Sequence, residues 1–543
     1  MKINNLVKNL FYTSLIFAAF IFVIRPILHG GLFQTFDNVQ VVRIDQMARE
    51  LIHGQFPVRY VNDLGNGGGY MLFNFYPPLV YYVGAVLHLI GFSLVGSTRI
   101  VFILGYLIGT LTMFAVLRRK VNLLSATLGT TLFLFSAYFA DEIYVRGTLA
   151  EFFAIAISPL ALGLTLELKE KQTYLKSILL GIVLGLLVYA HIFVAINMVM
   201  IGIIIFLFPP FFRKQYLLGG LSLLIGALLS ASFWLPSFLE ERFTQYSISY
   251  FATSSYKGNL LPIPQLLGFA HIPWGFKPPI LGISLSIGII IVIIGIILLR
   301  KKNYLLIGSL AAFLVSLFLA SDLSRFIWNS SNFLQMLQFP WRFLAGATVA
   351  GIFAICLFVN ELKGKFKIVV FLGLIILVLG NYSYFSSLHY DYVSVYTADD
   401  ACSSTTWAAE YLPKWTNVCL PKPKKKTVPL ITSNDRESKF NSVTVNNYGR
   451  AISFRAMNKI NSRIIIRRYY FPGWNVFIDN KQATIEPSGR EGLITVTIPS
   501  GMHSVKAVWQ GTLTENISNW ISAITLIGVI IFLLSYKKLK KLL

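Results

Sequence analysis

The side chains able to do chemistry in this chain are few, and they gather at the ends of apolar runs. Asp141, Glu142, Arg146 and Glu151 crowd the junction between two such runs. Asp37 is the first acid of the sequence and follows the first run, while His191 closes another run and Arg342 opens a later one. A carboxylate within hydrogen-bond reach of a hydroxyl can take its proton as the oxygen attacks. Arginines, with a histidine beside them, can hold a phosphate oxygen and stabilise negative charge as it develops. Each residue also has a plainer role. Asp37 can be a solvated loop acid or a helix cap. Arg146 can pair with Glu151, which falls about one turn inside an apolar run, where a lone carboxylate is expensive. His191 can be a satisfied interface histidine. Arg59 and Lys277 are cations whose stems can snorkel toward head groups, and Arg43 with Asp45 can pair on a helix face.

The elements that must position these residues lie in a membrane. Of 543 residues 55% are hydrophobic and only 13% charged, and the mean hydropathy is +0.66. A soluble protein of this size needs more charge to coat its surface. About twelve spans are expected, near 8–28, 98–117, 122–139, 148–166, 175–190, 192–209, 217–239, 281–299, 303–320, 342–360, 367–386 and 517–535. The first is too long for a signal-peptide core and lacks a small-residue cleavage site, so it reads as a retained helix. The run Leu79–Phe92 is left out. Its length is about 21 Å as a helix against a hydrocarbon core of about 30 Å, which suits an interfacial or re-entrant helix.

Most of the formal charge of +24 gathers in segments marked by Arg118–Lys120, Arg213-Lys214, Arg300–Lys302, Lys363/Lys365/Lys367 and the tail lysines from Lys537. With the N-terminus inside, all of these fall in cytoplasmic segments, the positive-inside pattern. The charge therefore describes topology, and no nucleic-acid partner is expected. On this topology both termini are cytoplasmic. Asp37, Asp45, Glu50, Asp63, Asp141, Glu142, Glu151, Glu240, Glu241 and Asp322 all lie on the external side. A transporter more often places ionisable groups near the midplane on broken helices. Acids at the outer interface suit a reaction on a lipid head group instead.

The expected fold is a polytopic α-helical membrane protein with an external C-terminal β-sandwich ahead of the last span. Residues 1–386 hold about eleven spans and a long first external loop at 29–97; 387–515 form the external β-rich domain; 516–543 are the last span and a basic tail. From about 442 the sequence alternates in SVTVNN, RAISFRA, RIIIRRYYF, WNVFID, LITVTIP and HSVKAVW, with turn signals at Asp479-Asn480, Pro487–Gly489 and Pro499–Gly501. KPKKK at 422–426 reads as a solvated linker. Cys356 lies in a span, and Cys402 and Cys419 either close an external disulfide loop or remain free thiols. FNFYPPLVYY reads as interfacial anchoring before a sugar-stacking platform. GNGGG at 65–69 lacks the lysine and the strand–helix setting of a phosphate loop.

Several segments carry a resemblance. They are FDNVQVVRIDQMARELIHGQFPVRYVNDLGNGGGYMLFNFYPPLVYY at 36–82, DEIYVRGTLAEFFAIAISPLAL at 141–162, YAHIFVAIN at 189–197, LQFPWRFL at 337–344, EYLP at 410–413 and YYFPGWNVFIDNK at 469–481. In these the chain resembles the bacterial polytopic membrane proteins called 6-pyruvoyl-tetrahydropterin synthase-related, a family similar to GT-C glycosyltransferases. Pterin-synthase chemistry itself needs a zinc-binding histidine cluster, and the seven histidines here are scattered. The resemblance implies an enzyme of the bacterial cell membrane that moves a sugar from a polyprenyl-phosphate donor to an extracytoplasmic glycan or polymer acceptor, with inversion. It implies Asp37 as base, with Asp141 or Glu142 on a metal or a sugar hydroxyl. Arg146, Glu151, His191, Arg342 and Arg59 would form the phosphate and substrate side. Gln40 stands where the resemblance leads one to expect a histidine, and a divalent metal stays open. The alternatives are flipping or export of a lipid-linked saccharide, or a non-catalytic membrane scaffold whose outer acids form no common pocket.

Overall fold

The computed structural model describes residues 2–248, 255–270, 279–299, 303–385, 390–391, 402, 404–406, 409–421 and 429–542. Lys277, Arg300–Lys302 and the KPKKK run lie outside these residues, as do the side chains of the tail lysines.

Eight described helices are long and apolar enough to cross a bilayer, nine if the bent pair Arg213–Leu229 and Ala231–Phe243 is one span. The twelve expected spans exceed this count for identifiable reasons. Ile283–Leu299 and Tyr304–Ala320 have 17 residues each, about 26 Å of rise against a core of about 30 Å. Tyr174–Phe206 is continuous in hydrogen bonding but extended at His191 (φ −168°, ψ 108°). A straight helix of its 33 residues would be about 50 Å long. Yet both of its ends meet the end of helix Leu149–Glu170. Lys176 Nζ lies 3.3 Å from Glu167 Oε2, and Lys169 Nζ donates to Ile205 O at 3.1 Å. The chain therefore folds back at His191, giving the two spans expected at 175–190 and 192–209.

The expected span at 217–239 is bent by 73°. Ser230 Oγ back-bonds to Gly226 O at 2.7 Å, and Pro236 cannot donate to Ser232 O, which loosens the following turn. The freed Ser232 carbonyl accepts Arg59 Nη2 at 2.6 Å. Helices Leu149–Glu170 and Pro340–Glu361 are almost wholly covered by others, whereas Val7–Leu28, Gly364–Tyr384 and Leu513–Tyr536 are peripheral. Leu79–Leu89 is a short helix, in keeping with its exclusion from the spans.

The loops around Arg119, Asn303 and Asn360 share one end of the bundle. Arg119 Nη1 meets Glu167 Oε1 at 2.6 Å, Asn122 Nδ2 donates to Asn360 Oδ1 at 2.6 Å, and Asn303 Nδ2 donates to Glu361 Oε1 at 2.6 Å. The β-domain sits at the other end. Short strands β1 (Leu32–Phe33) and β2 (Tyr390–Asp391) pair antiparallel. The domain comprises β3 (Ile431–Ser433), β4 (Lys439–Asn446), β5 (Ala451–Asn458), β6 (Ser462–Tyr469), β7 (Trp474–Ile478), β8 (Lys481–Ala483), β9 (Leu493–Ile498) and β10 (Gly501–Trp509). They form a five-stranded sheet, β4-β5-β10-β7-β8, and a three-stranded sheet, β3-β6-β9, antiparallel throughout. Alternation puts Ile452, Phe454, Val476 and Val505 of one sheet against Ile464, Ile466, Ile494 and Val496 of the other, all buried. Asp479 and Asn480 both have positive φ (48° and 66°), the two-residue hairpin geometry that twisted strands favour.

The first loop seats this domain. A Cβ at Gly68 would lie 2.5 Å from the Tyr469 ring, and Tyr469 N donates to Gly68 O at 3.0 Å. GNGGG is thus a close-approach surface for β6. The aromatic run is not an interfacial anchor: Phe73, Phe75 and Tyr81 are buried inside the protein. Arg43 and Asp45 do not pair either. Asp45 Oδ2 takes Arg49 Nε at 2.7 Å, one helical turn on, and Arg43 points elsewhere. Cys402 and Cys419 form a disulfide, with Cα atoms 5.4 Å apart.

Candidate functional site

The segment just after the first span zips to the acidic cluster through its backbone. Phe36 N donates to Val145 O at 3.0 Å and Asp37 N to Arg146 O at 2.9 Å. Gly147 makes this contact possible. Its φ is +71°, and a Cβ there would sit 2.3 Å from Thr35 Oγ1. The following helix, Gln40–Ile52, has Val39 at its N-cap and no side-chain cap, so Asp37 is not a capping residue. Its Oδ2 instead accepts Gln40 Nε2 at 3.3 Å.

Glu151 is the electrostatic centre behind this segment. Its Oε2 lies 3.4 Å from Arg146 Nη1, 3.5 Å from Arg342 Nε and 3.8 Å from His191 Nε2. Tyr138 Oη donates to its other oxygen at 3.0 Å. A buried carboxylate among apolar helices requires such partners, and here the adjoining segment and two distant ones supply them. Glu142 pairs with Arg146 and accepts from Thr148. Burial alone would lower the Arg146 pKa, but Glu142 and Glu151 raise it well above the ordinary value, so the guanidinium stays charged. The Arg342 guanidinium also stacks on Phe193 (4.5 Å) and Phe339 (4.9 Å).

Asp37, Arg146, His191 and Arg342 line one cavity of about 640 Å³, a size ordinary for a small-molecule site. Glu142 and Glu151 are buried behind Arg146 and Arg342 and set their positions; they are not on its wall. Asp141 is fully buried, off the wall, and its carbonyl accepts Arg146 N at 2.8 Å. Arg59 is not brought to the cavity. It donates to Asn74 Oδ1 at 2.7 Å, Ser232 O at 2.6 Å and Asn519 Oδ1 at 2.8 Å, tying the first loop to the bent helix and the last span. His191 Nδ1 is buried and meets no hydrogen-bond partner among the described residues.

Several wall residues carry no site role in the sequence reading: Arg43, Tyr246, Glu241, Glu410, Tyr411 and Trp341. Tyr411 stacks on Phe75 (5.7 Å) and Tyr246 (6.3 Å), and Arg43 lies over Tyr76 at 3.8 Å. The loop closed by the disulfide brings Thr405, Thr406, Glu410 and Tyr411 to the wall. The segments EYLP and LQFPWRFL hold seven of the wall residues, among them Glu410, Tyr411, Trp341 and Arg342, and are the available signal. Among the described residues no three His, Cys, Asp or Glu side chains converge as a metal-holding group.

A family profile described as "6-pyruvoyl-tetrahydropterin synthase related domain; membrane protein" matches residues 73–388. No curated protein matches the chain. Among solved structures, the arabinofuranosyltransferase AftD from Mycobacteria is similar with a TM-score of 0.43 and 13% identity, over 69% of this chain and 26% of that one. The Archaeoglobus fulgidus oligosaccharyltransferase in its apo form is similar with a TM-score of 0.42 and 12% identity, over 69% of this chain and 55% of that one. The chain spans a minor part of the first and just over half of the second. At these scores neither structure lends an argument about this one.

Proposed function

Given that the chain belongs to the 6-pyruvoyl-tetrahydropterin synthase related family of membrane proteins, we propose that it is a membrane glycosyltransferase. It moves a sugar from a polyprenyl-phosphate donor to an extracytoplasmic glycan or polymer acceptor. The observation that carries this reading is the cavity whose wall holds Asp37 together with Arg146, His191 and Arg342.

The acceptor hydroxyl is a poor nucleophile, so Asp37 takes its proton as the oxygen attacks the anomeric carbon. The new C–O bond forms as the bond to phosphate breaks, and one displacement inverts the configuration. The leaving polyprenyl phosphate keeps the bonding pair, and its charge meets Arg146 and Arg342, with His191 beside them. Arg342 lies between aromatic rings, and such walls suit both a prenyl chain and a sugar face. The gathering of the basic loops around Arg119 and Asn360 at the end away from the β-domain supports an orientation with both termini cytoplasmic and the β-domain outside a bacterial cell membrane.

The test uses purified protein in liposomes, offered undecaprenyl-phosphate hexoses and pentoses in turn. Asp37→Asn should lower turnover by roughly 10²–10⁴ while binding of undecaprenyl phosphate persists. Arg146→Ala and Arg342→Ala should weaken that binding. A folded Asp37→Asn protein with near-parental turnover refutes the assignment of the base.

A further inference from the structure

Asp37 is the end of a buried line of hydrogen bonds. Arg43 Nη1 donates to Tyr81 Oη at 3.1 Å, Tyr81 Oη donates to Gln40 Oε1 at 2.7 Å, and Gln40 Nε2 donates to Asp37 Oδ2 at 3.3 Å. Arg43, Gln40 and Tyr81 are all buried. The direction is fixed at three points. A guanidinium can only donate and a carboxylate can only accept. The amide of Gln40 is held in one orientation because its Nε2 also donates to Gly147 O at 2.8 Å, an acceptor that its own oxygen could not satisfy. With a cation at the head, an anion at the tail and each member donating to the next, the bonds polarise one another in the same sense.

The head of the line is held by the disulfide-closed loop. Arg43 Nε donates to Thr405 Oγ1 at 3.3 Å, and its Nη2 donates to Thr405 O. Thr405 lies inside the loop that Cys402 and Cys419 close, the same loop that brings Glu410 and Tyr411 to the cavity. A guanidinium set directly on Asp37 would depress its basicity by roughly one to three pKa units. Two neutral groups between them orient the carboxylate with a weaker electrostatic pull.

We propose that Arg43 is a positioning residue, which orients Asp37 through Tyr81 and Gln40 while the loop closed by Cys402–Cys419 lies on the cavity. This rests on the reading of Asp37 as base. Arg43 has no role on the reacting atoms; it couples the base to the covering loop.

The relay can be tested without a sugar donor, by labelling Asp37 with dicyclohexylcarbodiimide, which attacks protonated carboxyl groups in apolar surroundings. Labelling is followed against pH by peptide mass spectrometry. Tyr81→Phe breaks the line without changing its volume, and leaves Arg43 on Thr405 and Gln40 on Gly147. It should raise the pH of half-maximal labelling by about one unit, a tenfold change in the protonation equilibrium. Arg43→Gln and the double variant Cys402→Ser/Cys419→Ser should give shifts in the same direction, whereas Arg43→Lys should recover part of it. In the transfer assay the acid limb of kcat should move with the label and KM should not. An unchanged labelling profile in all of these folded variants, with Asp37→Asn inactive, overturns the relay and leaves the base standing. Retained turnover in Asp37→Asn overturns both.

Discussion

Replacing Glu151 with glutamine should uncouple the stability of the bundle from the charge of its cavity. The change keeps the volume and leaves a carbonyl for Tyr138, but removes the negative charge facing Arg146 at 3.4 Å and Arg342 at 3.5 Å. At an effective dielectric of about 20, each of those contacts has a gross Coulomb energy near 5 kcal/mol. Most of that is offset by the water all three groups gave up, and removing one partner of a buried ion pair costs about 3–5 kcal/mol. Thermal unfolding in detergent, followed by intrinsic fluorescence, should show a Tm lower by about 3–4 °C. Binding should move the other way. Without Glu151 the cavity is more positive, so undecaprenyl phosphate at low salt should bind as well or better, and the gain should fade as salt is added. A Tm unchanged from the parent would refute Glu151 as the charged centre of the site.

Other outcomes follow from single contacts. Burial pushes the Glu50 carboxyl up to about 7, even with Arg450 3.4 Å away. A raised carboxylate pKa means the folded state holds the proton between about 4.5 and 7, so stability should fall as pH rises through that window, by on the order of 3 kcal/mol. Glu50→Gln should flatten the slope of Tm against pH. Gly147→Ala, with φ +71° and a Cβ 2.3 Å from Thr35 Oγ1, should destabilise the protein by about 2 kcal/mol and lower turnover by loosening Asp37; an unchanged Tm would contradict the contact. A cysteine placed at Phe440 should react with an impermeant maleimide in intact cells, and its protection until lysis would reverse the proposed orientation.

Much of the architecture follows from local sequence. The spans are legible because bilayer thickness sets a length that composition either meets or fails. The sandwich is legible because sheets with one buried face force alternation, as in β5 and β9. Even the break at His191 shows in the sequence as two runs where the hydrogen bonding is continuous. Local sequence is silent where a side chain's surroundings depend on remote chain. The run FNFYPPLVYY has the composition of an interfacial belt, yet the protein closes over Phe73, Phe75 and Tyr81.

The site divides the same way. Residue type and sequence neighbourhood pick out Arg146, His191 and Arg342, because charge beside an apolar run is rare and must be explained, whereas Asp37 rests on the family resemblance. Glu142 and Arg146 are one helical turn apart, so their pairing can be read locally. That Glu151 draws in Arg342, and that Arg43 reaches across 362 residues to Thr405, follows from no local pattern. A buried charge takes whichever partner the packing of distant helices brings within reach. Only the tertiary structure therefore decided which acids face the cavity, which lie behind it, and that Arg59 serves a helix bend instead.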